Sequence, residues 1–256
     1  MNIIWVSSEG KKYCPNADQS SLGSISMPLQ TLQDAMHKIS FSNKTFWEVR
    51  VSPGFYSDPF IIPSNKIICI VGSSRATSLG DCTWKTAGKL SSIIIFRDLG
   101  LDKLKIEDDA DSFAELAPIG FENCSVNEII KTGKSKVDIG LAGIGAASSD
   151  FAGTLGGAGV VYGDIKADDC YILANNISFF SGKVIYCKNC KMQNCLFEQE
   201  IHSSGDNVTL ISTQWLIKNL TITFTKGFGK LIMDSVSLNS FYKNNINLIN
   251  GMVEVL

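Results

Sequence analysis

Arginine is nearly missing from this chain of 256 residues: Arg50, Arg75 and Arg97 stand beside 20 lysines, and none follows Arg97. Histidine is scarcer still, with only His37 and His202. Acidic and basic side chains almost cancel, 25 against 23, for a formal charge of −2. A protein that grips a phosphate backbone needs a basic footprint, so nucleic acid is not expected as a partner. Residues 1–8 are partly apolar but lack a basic n-region before them and a small-residue cleavage site after them, so no secretory signal is read. The longest weakly charged stretch, 139–163, holds eight glycines and is too interrupted for a transmembrane helix. A tightly stacked small-residue coil or a loop is the expected form of that stretch, and a membrane is not an expected partner.

Cysteine is present in number: Cys14, Cys69, Cys82, Cys124, Cys170, Cys187, Cys190 and Cys195. A chain with 45% apolar residues can bury a core without disulfide staples, so reduced, buried thiols are expected. Cys187-x-x-Cys190 with Cys195 resembles part of a zinc site, but no fourth ligand follows at finger-like spacing. No metal or cofactor is therefore expected.

The last hundred residues divide at glycines into segments 160–182, 183–205, 206–229 and 230–251, of 23, 23, 24 and 22 residues. Each opens on a short β-prone run: Val160-Val161-Tyr162, Lys183-Val184-Ile185-Tyr186, Asn207-Val208-Thr209-Leu210-Ile211 and Lys230-Leu231-Ile232-Met233. Further runs lie at 170–173, 177–180, 195–197, 220–224 and 246–249, with Asn, Gly, Ser and Lys between them. A period of this size marks a stacked repeat, because one repeat cannot bury its own apolar face. Leucine-rich repeats would need Leu in fixed register, and helical repeats long amphipathic stretches, and neither pattern is present. Three short parallel strands joined by turns fill a coil of about 23 residues, each coil advancing by about 4.8 Å.

The N-terminal third carries a family resemblance. Gly23-Ser24-Ile25-Ser26-Met27-Pro28-Leu29-Gln30-Thr31-Leu32-Gln33-Asp34-Ala35-Met36 is followed by Val49-Arg50-Val51-Ser52-Pro53-Gly54-Phe55-Tyr56-Ser57-Asp58 and then Ile67-Ile68-Cys69-Ile70-Val71-Gly72. This order resembles the opening of pectin-lyase-like right-handed parallel β-helices, in which a capping helix leads into a strand, a Pro-Gly-x-Tyr turn and the next coil. The residues agree with it independently. Leu29, Leu32, Met36 and Ile39 recur at helical spacing, Thr31 with Asp34 forms a capping pair, and Pro53-Gly54 makes a tight turn. The expectation is one all-β domain over 1–256: an N-terminal cap with a helix over 1–48, early coils over 49–138, the Gly/Ala-rich segment 139–163 and regular coils over 160–256.

Catalytic sets of the resembling family are not found in this sequence. The resemblance would imply, for methylesterases, two aspartates with an arginine from a late coil, and for lyases an Arg or Lys base beside calcium-binding carboxylates. No arginine follows Arg97, and Gln33-Asp34 falls in the cap helix. Asp168-Asp169 with His202 is a partial echo of polygalacturonase-like hydrolases, but adjacent strand residues point to opposite faces, and the Gly-His-Gly and Arg-x-Lys motifs are missing. His37 belongs to the polar face of the cap helix. The acidic cluster Glu107-Asp108-Asp109-Ala110-Asp111 with Glu115 has no EF-hand spacing and reads as a solvated loop. Thr132-Gly133-Lys134-Ser135 imitates the end of a P-loop, yet Glu128 occupies the place of its first glycine. Asn176, Asn207 and Asn219 begin glycosylation-type tripeptides. Trp215, Phe224 and Tyr242 could make a sugar platform, with core packing the plainer expectation.

No catalytic residue is therefore assigned. The expectation is a non-enzymatic structural or attachment protein of a virus or phage particle, located in the virion as a capsid decoration, fibre or tail component. Its expected partners are other virion proteins, a homotrimer whose copies dock through the apolar finish at 252–256, and a surface glycan. The alternative is a polysaccharide-binding or polysaccharide-degrading protein, a lyase or hydrolase, that works on an outer face of the β-helix.

Overall fold

The computed structural model describes residues 2–13, 21–73, 76–86, 92–108, 117–122, 124–132, 139–143 and 159–256. They form an all-β parallel solenoid of 24 strands and two short helices, with coils of about 22 residues. Every strand pairing between coils is parallel, and the strands stack into three sheets. The first sheet begins with Asn2–Lys11, Phe46–Val51, Ile67–Val71 and Ile93–Arg97, and ends with Asn207–Ile211, Gly229–Met233 and Gly251–Val255. The second contains Gly54–Tyr56, Thr77–Leu79, Ile177–Phe179, Leu196–Phe197 and Gln214–Trp215. The third contains Phe60–Ile62, Cys82–Thr86, Glu200–Ser203, Thr221–Phe224 and Asn247–Ile249. Long strands such as Val184–Gln193 turn a corner and serve two sheets.

Alternation drives this packing. In Ile67–Val71 the even-numbered Ile68 and Ile70 point inward and are fully buried, and Ile94 with Phe96 do the same one coil later. Inward residues stack on their equivalents in the next coil, which produces columns of like side chains. Phe179 lies on Phe197 with ring centroids 4.8 Å apart and planes 4° apart, and the column continues through Trp215 to Phe241. Burying such a column removes its apolar surface from water and gains aromatic contact as well.

The corners explain the asparagines. Asp98, Asn176, Asn194 and Ser212 each follow a first-sheet strand directly, and all have φ between 50° and 61°. Asn and Asp tolerate this left-handed conformation better than other side-chain-bearing residues. The N–H of each corner residue donates to the next coil: Asp98 to the Glu122 carbonyl, Asn176 to Gln193 and Asn194 to Ile211, at 2.9–3.0 Å. A single residue thereby turns the chain and keeps its donor satisfied.

Both ends depart from the sequence expectation in instructive ways. Asn2–Lys11 is already a rung of the first sheet, with Ile4 and Val6 buried, so residues 1–48 are not wholly a cap. The cap is inserted after that rung. The loop at 21–29 covers the strand's outer edge through Trp5 N–H to Gly23 O and Lys11 N–H to Pro28 O. The helix Leu32–Ser40 (α1) then buries Leu32, Ala35, Met36 and Ile39. Thr31 caps it by accepting from the Asp34 N–H at 3.0 Å and donating to the Asp34 carboxylate at 2.9 Å, as the sequence suggested.

A second helix, Ser235–Lys243 (α2), lies where the sequence pattern suggested only strands. It closes the end of the second sheet with side chains. The Ser237 and Ser240 hydroxyls accept from the Thr213 and Trp215 N–H groups at 2.9 Å, and Asn244 donates to the Trp215 carbonyl at 2.9 Å. These residues, three and four apart on one helix face, replace the hydrogen bonds of a missing strand. Asp234, the N-cap, accepts from the Ser237 N–H and also from the N–H of the corner residue Ser212, at 2.9 Å in each case. Burial alone would raise the Asp234 carboxyl, but these bonds from Ser237 and Ser212 hold it below its ordinary 3.8. A depressed folded-state value means that the stabilisation is present above the unfolded value and is lost as pH falls through the folded one. Asp234→Ala is therefore expected to cost about 1–2 kcal/mol at neutral pH and to differ little from the parent in strong acid, read by denaturant titration at a series of pH values.

The glycine spacing marks something other than coil phase. The opening runs at 160 and 183 lie in the second and third sheets, whereas those at 207 and 230 stack in the first. Coil length varies accordingly: Phe179 pairs with Phe197 and Phe197 with residue Trp215, 18 residues apart each time, while Gly229 pairs with Gly251, 22 apart. Gly182 and Gly205 sit where backbones of neighbouring coils nearly touch, and Gly229 and Gly251 sit against the Phe224 ring. A Cβ on Gly182 would lie 2.6 Å from the Gly163 carbonyl oxygen, and one on Gly205 would collide with the Lys188 carbonyl.

Candidate functional site: a cleft on the outer face of the first sheet

Inward positions build the core, so chemistry on this fold is carried by outward ones. On the first sheet one outward column runs through Trp5, Arg50, Val71, Arg97 and Glu122, each the register partner of the next. The neighbouring column contains Ile3, Glu48, Cys69 and Ile95. Along the first column and the residues just after its strands lies an open cleft of about 300 Å³, lined by Val71, Gly72 and Ser73 with Trp5, Arg50 and Arg97.

Arg50 donates from Nε to Glu48 Oε1 at 2.5 Å, and Arg97 from Nε to Glu122 Oε2 at 2.5 Å. The carboxylates lie beneath the guanidinium groups: Glu48 and Glu122 side chains are 10% and 6% exposed, Arg50 and Arg97 42% and 34%. Arg50 also stands over the Trp5 ring, 5.2 Å from its centroid, a cation–π contact that fixes both side chains. Burial would lower the Arg97 guanidinium, but the hydrogen bond and charge of Glu122, with Cys69 and Asp98 nearby, raise it. Burial raises the Cys69 thiol; Arg97 opposes this while Glu48 and Glu122 add to it, so the group is a neutral thiol rather than a nucleophile at neutral pH. Two positive and two negative side chains leave the cleft without net charge.

Residues singled out in the sequence are dispersed. His202 lies on the outer face of the third sheet, its ring edge-on to Tyr186 at 5.4 Å and its Nε2 3.5 Å from Glu200. Asp168 and Asp169 occupy the irregular middle of strand Ile165–Asn175, whose register shifts between Ala167 and Tyr171; their side chains, like Cys170's, lie outside the described ones. Gln33 and Asp34 are in α1, where Gln33 accepts from the Ile61 N–H and Asp34 serves the cap. His37 is on the exposed face of that helix. Trp215 and Phe224 are core residues and Tyr242 alone is exposed, so the three make no common platform. Glu107 and Asp108 end the strand Gly100–Asp108 rather than starting a loop; residues 109–111 and Glu115 lie outside the described residues, as do residues 133–135 of the P-loop imitation. Cys187, Cys190 and Cys195 are free thiols in the core. Hydrogen bonding to Cys187 and burial push the Cys190 thiol well up, and burial pushes Cys195 up to about 11, so neither is poised as a thiolate ligand. Among the described residues no cluster of His, Cys, Asp and Glu could hold a metal ion, and no helix is long and apolar enough to cross a membrane.

The cleft itself was not anticipated. Its signal was present in outline: two of the three arginines alternate with buried Val49, Val51 and Phe96 and so must face outward, and Trp5 alternates with Ile4 and Val6. Which coils stack on which is needed to bring them together. Comparison with protein-family models, curated proteins and solved structures finds no significant match.

Proposed function

We propose that this protein is a non-enzymatic attachment module, a right-handed solenoid of the pectin-lyase-like kind carried on a virus or phage particle, and that it meets a surface glycan through the outer cleft of the first sheet. The observation that carries this reading is the layering of the cleft. An indole and two guanidinium groups face outward, while both carboxylates lie beneath and are engaged by the arginines. Glycoside hydrolysis asks for two carboxyl groups that face the sugar, one as acid and one as base or nucleophile. Binding asks for an aromatic surface and oriented hydrogen-bond donors, and these are the groups that Trp5, Arg50 and Arg97 present.

The C-terminal rung supports docking to other subunits. Met252, Val255 and Leu256 are half-exposed or more, in or beside the strand Gly251–Val255, which pairs with Gly229–Met233 in the first sheet. Exposed apolar side chains close together suit homotrimer contacts or contact with a particle protein. The reading predicts co-sedimentation with particles and glycan binding without new reducing ends or unsaturated products. Reproducible depolymerisation of a polysaccharide, abolished by Glu122→Gln, would replace it with the enzymatic alternative.

A further inference from the structure

Arg50 and Arg97 share one column with Val71 between them, so their Cα atoms stand two strand spacings apart, about 10 Å. Both ion pairs run through Nε. Each guanidinium thereby keeps the outer edge of its fork, with its Nη groups, for a second oxyanion, and a buried carboxylate fixes its direction. Bidentate forks of this kind suit carboxylate or sulfate, and they are pre-oriented here. The floor between them is different in character: Val71 and Gly72 offer no charge, and Ser73 commits its hydroxyl to the Val51 carbonyl at 3.0 Å.

Resting on the glycan reading above, we propose that the cleft selects a linear acidic glycan whose anionic groups lie on alternate sugars. The chain would run along the solenoid axis. One acid group meets the Arg50 fork, the intervening neutral sugar lies over Val71, and the next acid group meets the Arg97 fork, about the length of a disaccharide away. Trp5 covers an apolar sugar face at the N-terminal end. A glycan with an acid on every sugar places a carboxylate over Val71, where no donor compensates its desolvation. A neutral glycan leaves both forks unanswered. Because Glu48 and Glu122 cancel the arginine charge, selection comes from fork position rather than from a long-range field, and the affinity should fall only modestly with salt.

Calorimetric titration of the full chain with hyaluronate oligosaccharides, polygalacturonate and dextran tests the assignment. Hyaluronate is expected to bind, polygalacturonate more weakly and dextran not at all. Arg97→Lys keeps the charge but loses the fork, and should weaken hyaluronate binding roughly ten- to hundredfold. The double variant Arg50→Gln/Glu48→Gln should weaken it similarly, without leaving a buried carboxylate unpaired. Circular dichroism establishes that both variants fold. Parent-like binding by folded variants, or polygalacturonate binding as tight as hyaluronate, overturns the alternate-acid assignment. Binding of neutral glycans that depends on Trp5 but not on the arginines also overturns it, while leaving the attachment reading in place. Failure of every glycan in the panel removes both.

Discussion

Phe197→Ala is expected to destabilise the protein by about 3–5 kcal/mol. Phe197 is fully buried at the middle of the column that joins Phe179 below to Trp215 above. Its removal opens a cavity and ends the ring contact on both sides. The surroundings cannot close readily, because each neighbour is held by its own strand at the fixed spacing between coils. In a solenoid each coil depends chiefly on the coils beside it, so the loss should be uneven along the molecule. Hydrogen exchange is expected to accelerate most in Gln214–Trp215 and α2, and least in Phe46–Val51. Phe197→Leu, which keeps most of the volume, should cost about 1–2 kcal/mol. Phe228→Ala, at an aromatic residue that is 68% exposed, should stay within about 0.5 kcal/mol. A uniform rise in exchange, or a Phe197→Ala effect as small as that at Phe228, would show that the aromatic column does not couple the coils.

Arg97→Gln has the second large expectation, and its pH dependence separates an ion-pair effect from a packing effect. In the parent, Glu122 is covered and accepts from Arg97. The variant leaves that carboxylate buried without its cation, at a cost of about 2–4 kcal/mol; the upper figure for a fully buried pair is reduced because Arg97 is one-third exposed. A buried carboxylate left without a cation is penalised only in its charged form, so that cost is relieved in acid, where carboxylates take up a proton. The variant's deficit should therefore be largest at neutral pH and shrink toward pH 4. Adding Glu122→Gln should recover most of the loss at neutral pH. A deficit that is constant across pH, or not recovered by the second substitution, would assign the effect to lost packing of the arginine stem.

Much of the architecture was legible because its causes are local. The β-prone run Ile67-Ile68-Cys69-Ile70-Val71 ahead of Gly72 reads as a strand, although with every position apolar only the structure tells which face is buried, and Thr31 with Asp34 marks the start of α1. The second helix was not legible. Val236, Phe241 and Tyr242 are β-prone, and a nine-residue helix has too few turns for its apolar period to stand out. Asp234 before Ser235 was the available signal, an N-cap residue at the point where the next strand should have turned its corner. The glycines were legible as punctuation but misleading as a ruler. Gly182 and Gly205 answer close backbone approaches and Gly229 and Gly251 the Phe224 ring, and corners of different length place these contacts on different sides of the coil.

From the residues alone follow the all-β solenoid and the N-terminal helix with its cap, because period, β-propensity and capping are properties of neighbouring positions. The tertiary structure decided the rest. Arg50 and Arg97 are 47 positions apart in sequence and share a column only because Val71 pairs with both. Their meeting with Trp5, the placing of Glu48 and Glu122 beneath them, and the side-chain closure of the second sheet by α2 all depend on register between coils. Register is set by the summed fit of many inward side chains, and no short stretch of sequence contains that sum.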